Sequence, residues 1–447
     1  MIFSEQEARR ILTKVLSITK ADAATASLGG SDSANIRFAR NEVTTSGTRN
    51  NHSLSISVAY GKRVGSASTN QFDDASLRNV VRKAQEIASV SPENPEYIPP
   101  LDRSAVKEYV KTHGWDERTA NLTPDYRARA AEESIGICEK AGLIAAGYLE
   151  HSGSFSAFAN SKGLQAYNKR TDIEYSLTSR TEDGRGSGWA AREYNASKYL
   201  NVGEVASQSA ERGKNTVDAR TLEPGKYTVI LDPVCVADLV RSLIFSLNAR
   251  SADEGRSWVA EKGGGTKLGQ QVFPETITVY TDPSDPEAPG SPWGEDGLPR
   301  QRTSMIEKGT LKNLFYSRYW AHKQGKEPLP FPSNIIMEGG TSTLDEMIAS
   351  TQRGVLLTSL WYIRSVDPQT LLLTGLTRDG NYLIEGGKIV GPVKNFRWNE
   401  SPVAVLKNVE MMGKPVRMPA REGGALPLKI PTLKVKEFTF SSLSDAV

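Results

Sequence analysis

The sequence predicts an α+β fold, in which a duplicated helix–strands–helix domain precedes a mainly antiparallel β domain with a few helices. Three observations predict it. A helix, several short strands and a second helix occur in that order twice before residue 215, and the later chain turns to strands separated by Gly-rich turns. A length of 447 residues allows two or three domains with cores of their own. We therefore expect an N-terminal domain at 1–215 and a C-terminal domain at 216–447.

The first unit of the repeat spans about residues 1–100 and begins with a helix. Ser4 and Glu7 have the spacing of a capping box, and an apolar stripe with helical period follows them. Alternating strands come next, with a hairpin turn predicted near Gly61. A second helix, over 73–90, ends before a Pro-rich segment that closes the unit.

The second unit spans about residues 120–215 and repeats this order. Its first helix has Thr123 as N-cap, Pro124 at the first helical position and Gly142 as its stop, and its last helix lies at about 202–212. Between them, Ile173, Tyr175 and Leu177 align with Leu54, Ile56 and Val58 of the first unit. Neither unit has enough strands to bury two helices, so we expect the units to share one sheet or to pack together.

The C-terminal half begins with a strand, 227–232, followed by an apolar helix, 234–250. A hairpin is predicted to turn at 307–309, and a short helix after Thr343 is predicted to stop at Gly354. Beyond that glycine the pattern is almost entirely that of strands. These features predict a mainly antiparallel domain with two or three helices.

Composition argues against several classes of partner. Lys and Arg total 55 against 52 for Asp and Glu, and no basic block occurs, so we do not expect binding to nucleic acid. No run of eighteen apolar residues and no signal peptide are present, so we expect no membrane association. Cys138 and Cys235 form no CxxC motif and indicate no disulfide framework, which favours a cytoplasmic location.

Few residues have the pattern of a catalytic site. The four histidines are far apart and form no HExxH or HxH motif, so a metal site is not expected from them. Glu150 and His151 are the most site-like pair, with an ordinary loop as the alternative. Cys235 begins a helix, where a thiol pKa is lowered, so a nucleophilic role is conceivable; Cys138 is expected in the core.

A polar and aromatic cluster occurs in KNFRWNESP, residues 394–402. Its amide and charged side chains, with an aromatic floor, predict a peptide-binding groove; the alternative is a strand end that turns into the loop before Pro402. The candidate groove residues are Asn395, Arg397, Trp398, Asn399 and Glu400.

Three stretches resemble the C-terminal domain of the TldD/PmbA (TldE) family: GGTSTLDEMIASTQRGVLL, LLLTGLTRDGNYLIEGGKIVGPVKNF and REGGALPLKIPTLKV. This family was once labelled modulators of DNA gyrase and is associated with peptide-degrading metalloprotease complexes. The resemblance implies an α+β N-terminal domain. Arg364, Asp367, Arg378 and Asp379 are charged residues that the resemblance does not lead us to expect, and no role is assigned to them.

The resemblance also implies where a metal site would lie. Members of the TldD type carry H-E-x-x-x-H on the helix after the strand and a cysteine in a later C-G-K-E-G-x-x-L-P context. In this sequence those positions fall at Arg241, Ser242, Ser246 and Pro419. Arginine, serine and proline side chains do not compete for zinc, so the resemblance implies no metal and no catalytic residue in this chain. Zinc is expected only in a TldD-type partner.

These considerations lead to one principal hypothesis and two alternatives. The chain is expected to be the non-catalytic subunit of a TldD/TldE-type metallopeptidase complex that acts on unfolded peptides. It would pair with a metal-bearing homologue or with itself as a dimer. The alternatives are a standalone hydrolase with an unrecognised site, at Cys235 or around residues 394–400, and a homo-oligomeric peptide-binding scaffold.

Overall fold

The computed structural model describes residues 2–294, 296–422, 424 and 426–444. The helices are α1 Glu5–Ile18, α2 Asp74–Val90, α3 Glu117–Ala120, α4 Pro124–Lys140, α5 Val202–Asn215, α6 Pro233–Phe245, α7 Ala249–Asp253, α8 Arg318–Gln324, α9 Leu344–Ala349 and α10 Pro402–Lys407. Strands of the N-terminal half are β1 Ala23–Ala39, β2 Glu42–Tyr60, β3 Arg63–Thr69, β4 Ile144–Asn160, β5 Gln165–Arg180 and β6 Ser187–Tyr194. Those of the C-terminal half are β7 Gly225–Leu231, β8 Val279–Thr281, β9 Thr303–Glu307, β10 Thr310–Leu311, β11 Ile335–Met337, β12 Arg353–Leu357, β13 Leu360–Asp367, β14 Leu372–Thr377, β15 Asn381–Glu385, β16 Lys388–Pro392, β17 Phe396–Glu400, β18 Val409–Met412, β19 Val416–Arg417, β20 Leu428–Ile430 and β21 Leu433–Leu443.

The two N-terminal units share one antiparallel sheet of six strands, in the order β3-β2-β1-β4-β5-β6. The order is symmetrical about the β1–β4 pair, where Asp32 lies opposite Gly153. Each unit contributes three strands and two long helices, and the sheet is continuous only when both are present. The expected duplication and the shared sheet are therefore confirmed.

The long helices α1, α2, α4 and α5 cover the same face of this sheet. In β1 the side chains of Ala26 and Leu28 pack under α1 and α2, and those of Ile36 and Phe38 pack under α4 and α5. All four positions are even-numbered, and alternate residues of a strand point to one face. Helix α1 begins as predicted, because Ser4 and its capping box satisfy the first backbone N–H groups.

The predicted alignment of the two units is wrong by two residues, as two glycines in equivalent strands show. Gly65 pairs with Val58, and Gly188 pairs with Ser179. A Cβ atom on either glycine would lie within 2.3 Å of a backbone atom of α2 or α5, so both mark where a helix touches the sheet. Val58 therefore corresponds to Ser179 and not to Leu177. Because side chains alternate with a period of two, a shift of two residues leaves the hydrophobic pattern unchanged.

The C-terminal half contains two mixed sheets around one large core. One sheet has the order β13-β14-β17-β21-β7-β12-β15-β16, with β18 paired to β21, and the other has the order β10-β9-β8-β11-β20-β19. Most pairs are antiparallel, as predicted, but β7–β12 and β11–β20 are parallel. Helix α6 follows β7 directly and is packed against β7, β13 and β20. It therefore lies between the two sheets.

Three predictions for this half are wrong in detail. The helix predicted over 234–250 ends at Phe245, with Ser246 as C-cap, and α7 begins only at Ala249. Gly354 does not stop a helix: it lies in β12, where a Cβ atom would be 2.6 Å from the carbonyl oxygen of Thr228 on β7. Five helices are described, not two or three, because α8 and α10 are too short to have a clear period.

Two ion pairs join the two halves of the chain, and the first of them is buried. Arg417 of β19 donates from Nη2 to Glu193 Oε1 of β6 at 2.6 Å, and each side chain is 5% exposed. Arg212 of α5 donates to Asp232 Oδ2 at 2.5 Å, just before α6. These contacts fix β6 and α5 against the region around α6. No helix within the described part of the chain has the length and apolar character needed to cross a membrane.

Candidate functional site

Helix α6 carries the positions where the family resemblance implies metal ligands. It starts sharply because Asp232 caps it and Pro233 occupies its first turn. Its apolar side chains, including Val240 and Leu243, are buried in the core between the sheets. The positions of interest lie on its remaining face, where Arg241 and Ser242 are half-buried and Phe245 is exposed.

Ser242 on α6 and Ser246, its C-cap, make local structural hydrogen bonds. Ser242 Oγ donates to the carbonyl oxygen of Asp238 at 2.9 Å. Ser246 Oγ donates to the carbonyl oxygen of Leu243 at 2.6 Å and accepts from Trp258 Nε1 at 2.7 Å. The second serine therefore ends the helix and anchors a buried tryptophan.

The segment that contains Pro419 reaches α6, as the resemblance implies. Pro419 is buried, and three residues later Glu422 donates its backbone N–H to Asp238 Oδ1 at 3.0 Å. Asp238 lies one helical turn before Arg241 and Ser242, so the two halves of the implied site are neighbours in space. Gly423 and Ala425, also in the implied cysteine context, lie outside the described residues.

The Arg421 side chain fills the junction between the two domains. Its guanidinium lies 4.4 Å from the ring centroid of Trp189 on β6 and 4.9 Å from that of Trp361 on β13. Nη2 donates to Asp379 Oδ2 at 2.6 Å, and Nη1 donates to Ser359 Oγ at 2.5 Å. This cation is thus stacked between two aromatic rings and paired with a carboxylate that is 1% exposed.

Three of the four charged residues without an assigned role belong to this junction. Asp379 Oδ1 also accepts from Ser187 Oγ at 2.6 Å, which ties the 378–380 turn to β6. The Arg378 guanidinium lies 5.4 Å from the Trp361 ring. Arg364 is paired with Glu422 at 3.4 Å.

The fourth, Asp367, lies elsewhere and stabilises a turn. It accepts from the backbone N–H of Gln369 at 2.9 Å and from Thr370 Oγ1 at 2.6 Å.

Burial changes the acid–base properties of two groups on α6. It raises the pKa of Asp238 to about 7, against the effect of backbone N–H donors from the neighbouring segment. Asp238 Oδ2 is buried and has no hydrogen-bond partner among the described residues. Burial also raises the pKa of the Cys235 thiol well above its ordinary value, and Cys235 Sγ donates to the carbonyl oxygen of Leu357 at 3.5 Å. A neutral, buried thiol of this kind does not support the hypothesis of a Cys235 nucleophile.

The side chains around α6 do not fit a zinc ion. At the implied ligand positions stand a cation, two hydroxyls bonded to helix carbonyls and a proline, and zinc requires thiolate, imidazole or carboxylate donors. Across the residues that the structure describes, no three His, Cys, Asp or Glu side chains meet as a metal site. His151, from the other candidate pair, is buried and accepts from Arg127 Nη1 at 2.9 Å; burial lowers its pKa to about 4.

The five predicted groove residues do not share one surface. Along β17 the side chains alternate, so Arg397 and Asn399 are exposed while Trp398 is fully buried. Trp398 is therefore a core residue, and the prediction of an aromatic floor is wrong. Glu400 is also buried and accepts from the backbone N–H of Thr439 at 3.1 Å. Asn395 lines a separate cavity of about 410 Å³ between the 183–187 and 378–381 segments.

Comparison with known domains gives three matches along the chain. Residues 24–88 match PmbA/TldA metallopeptidase domain 1, residues 124–215 match its central domain, and residues 224–442 match its C-terminal domain. This chain belongs to the PmbA/TldD metallopeptidase family. The first two matches fall on the two units of the repeat, and the third on the C-terminal half.

Relatives of both named types occur within the PmbA/TldD family. The chain is 22% identical to a metalloprotease TldD homologue of Buchnera aphidicola over 86% of each chain. It is 24% identical to a metalloprotease PmbA homologue of Haemophilus influenzae over 80% of each chain. The crystal structure of TldE from Thermococcus kodakarensis superposes with a TM-score of 0.86 at 17% identity, over 97% of this chain and 99% of that one. This likeness confirms the fold.

Most of the junction could not be predicted from the sequence. The available signal was Asp238, an acidic residue on a largely apolar helix. Trp189, Trp361 and Arg421 come from segments far apart in sequence, and only the folded chain brings the two rings to the Arg421 guanidinium.

Proposed function

We propose that this chain is the non-catalytic subunit of a TldD/TldE-type metallopeptidase complex that acts on unfolded peptides. The observation that best supports the proposal is that the implied ligand positions hold no metal-binding side chains, and that their serine hydroxyls bond helix carbonyls. Ser242 and Ser246 bond to their own helix, and Arg241 is a cation. Hydrolysis in this family would need a metal-bound water, and these residues offer no ligands to hold the metal.

The proposal requires a partner that supplies the chemistry. A TldD-type homologue with H-E-x-x-x-H on the equivalent helix would hold the zinc, and this chain would complete the peptide chamber. We expect the complex to act in the cytoplasm. Self-association into a dimer is the second arrangement that the proposal allows.

An exposed sheet edge beside the junction supports a role in peptide handling. Strand β13 ends the order of its sheet, and its Tyr362 donates its backbone N–H to Glu422 Oε1 at 3.0 Å. Tyr362 and Val366 are 53% and 54% exposed. An extended peptide gains main-chain hydrogen bonds by adding to such an edge.

The decisive experiment compares the purified chain alone, the TldD-type homologue alone, and the two mixed. Cleavage of an unfolded fluorogenic peptide is measured with and without a chelator. We expect cleavage only in the mixture, or much faster cleavage there, and its loss with the chelator. Elemental analysis of the chain alone is expected to find no stoichiometric zinc.

Two controls sharpen this comparison. A homologue whose motif glutamate is replaced by glutamine should abolish cleavage in the mixture, whereas Ser242→Ala in this chain should leave it unchanged. Chelator-sensitive cleavage by this chain alone would refute the proposal. Tight binding of peptide with no effect on the homologue would instead favour the homo-oligomeric peptide-binding scaffold.

A further inference from the structure

Arg241 differs from three of the other half-buried or buried arginines near the junction. Arg212, Arg417 and Arg421 are each paired with a carboxylate. Arg241 makes no hydrogen bond or ion pair with any described residue, and its Nε is shielded from solvent without a partner. The guanidinium is therefore free to pair with an anion that reaches it.

An aromatic shelf lies next to this cation. The Arg241 guanidinium is 5.0 Å from the ring centroid of Phe245, one turn along α6. Phe245 stacks on Phe331 with centroids 5.7 Å apart and planes 10° apart, and Phe331 packs on the buried Phe315 at 4.8 Å. Phe245 and Phe331 are each 37% exposed. The shelf is thus anchored in the core but open on one side.

We propose that Arg241, Phe245 and Phe331 form a subsite for the free C-terminus of a peptide with an apolar last residue. A guanidinium binds a carboxylate through two parallel hydrogen bonds, and the rings offer an apolar contact beside it. A C-terminal residue carries its carboxylate and its side chain on adjacent carbons, so one residue satisfies both features. An aspartate side chain brings the charge without the apolar group.

The subsite deepens the proposed function, on which it rests, because it names the part of the peptide that this chain holds. By the resemblance, Arg241 stands where a metal-bearing relative has its first histidine. In this chain, the corresponding surface would then still bind the peptide but would no longer catalyse its hydrolysis.

The test is a binding measurement on the full chain alone, by fluorescence anisotropy. The probes are N-terminally labelled Gly-Ser-Gly-Ser-Phe as the free acid, the same peptide as the C-terminal amide, and a free acid that ends in Gly. We expect the wild type to bind the Phe acid about tenfold more tightly than the amide, the usual scale for a charge-assisted hydrogen bond. The affinity for the free acid that ends in Gly should lie between those for the Phe acid and the Phe amide.

Three variants separate the parts of the subsite. Arg241→Gln should remove the preference for acid over amide, and Phe245→Ala should remove the preference for Phe over Gly. Arg82→Gln, on the exposed surface of α2, should change neither. Thermal unfolding of each variant shows whether it is folded.

Equal binding of acid and amide by the wild type, or an unchanged preference in a folded Arg241→Gln variant, would overturn the subsite. Equal binding of an amidated peptide with an internal Asp would also overturn it, because the site would then select side-chain carboxylates. Neither result depends on the partner. A failure here is therefore distinct from a failure of the mixed-subunit assay.

Discussion

At the residue scale, the junction at α6 contains Arg421, whose guanidinium is held by its neighbours, and Asp238, a carboxyl group with a raised pKa. Arg421 brings its charge between Trp189 and Trp361 and is neutralised by Asp379. Within the described part of the chain no cation contacts the Asp238 carboxyl, so burial dominates its acid–base behaviour. Burial thus favours the neutral form of the Asp238 carboxyl in the same packed region.

The raised pKa of Asp238 predicts a pH dependence of stability. Its pKa is about 7 in the folded chain against an ordinary 3.8, so the folded state holds a proton that the unfolded state has released. The contribution of the protonated carboxyl to the free energy of unfolding is complete below pH 3.8. It falls as the pH rises from 3.8 to about 7, by at most about 1.4 kcal/mol per pH unit. Asp238→Asn keeps the neutral form. The free energy of unfolding of the wild type should therefore fall relative to this variant between pH 5 and 8, measured in urea.

Asp367→Asn is the matched control for that measurement. Hydrogen bonds from Thr370 and Gln369 lower the pKa of Asp367, so its contribution is present above the ordinary pKa and is lost as the pH falls. Over pH 5–8 the Asp367→Asn variant should therefore keep a constant difference from the wild type, because the Asp367 carboxyl is ionised in both the folded and the unfolded state there. If the free energies of unfolding of the wild type and of Asp238→Asn changed in parallel with pH, the raised pKa of Asp238 would be contradicted.

At the element scale, the contact between helix and sheet in each repeat unit depends on a glycine. Gly65 lies under α2, and a Cβ atom there would be 2.2 Å from the carbonyl oxygen of Ala84. The helix would have to move away from β3 to accept it. We expect Gly65→Ala to lower the free energy of unfolding by about 2 kcal/mol.

Gly47→Ala is the control for Gly65→Ala. Gly47 also lies in a strand, but no atom lies within 4 Å of the point that a Cβ atom would occupy there, and we expect a change within about 0.5 kcal/mol. Both changes are read from chemical denaturation of the full chain. Similar losses for the two variants would show that strand propensity, not helix contact, sets the effect.

The elements themselves were largely predictable, because caps and periodicity are local signals. Ser4 and Thr123 start the helices that the sequence predicts. The end of α6 was not predictable, because it depends on Trp258, which bonds Ser246 from outside the helix. Trp398 was misplaced for a related reason: its neighbours in sequence are polar, and only the pairing of β17 with β14 and β21 shows which face is buried.

At the scale of the whole molecule, the ion pair between Glu193 and Arg417 couples the two halves. Arg417→Met would leave the Glu193 carboxylate buried without its cation, which costs about 3–5 kcal/mol in comparable sites. We expect a lower unfolding midpoint and faster proteolysis in the segment 216–224, between α5 and β7. Limited proteolysis and urea unfolding measure both effects.

The double variant Glu193→Gln/Arg417→Met should recover much of this loss, because it removes both charges. Lys226→Met breaks an ion pair with Glu437 in which both side chains are 64% exposed, and should cost at most about 1 kcal/mol. An Arg417→Met chain as stable as the Lys226→Met chain would show that the two halves are held together by other contacts.

The shared six-stranded sheet also governs when this chain can fold during synthesis. Strand β1 needs β4 as its neighbour, and Ala39 pairs with Ala146 more than a hundred residues later. Until the second unit has left the ribosome, one long edge of the first unit remains open to other strands. Nascent chains that stall before Asn160 are thus the ones we expect to need chaperones.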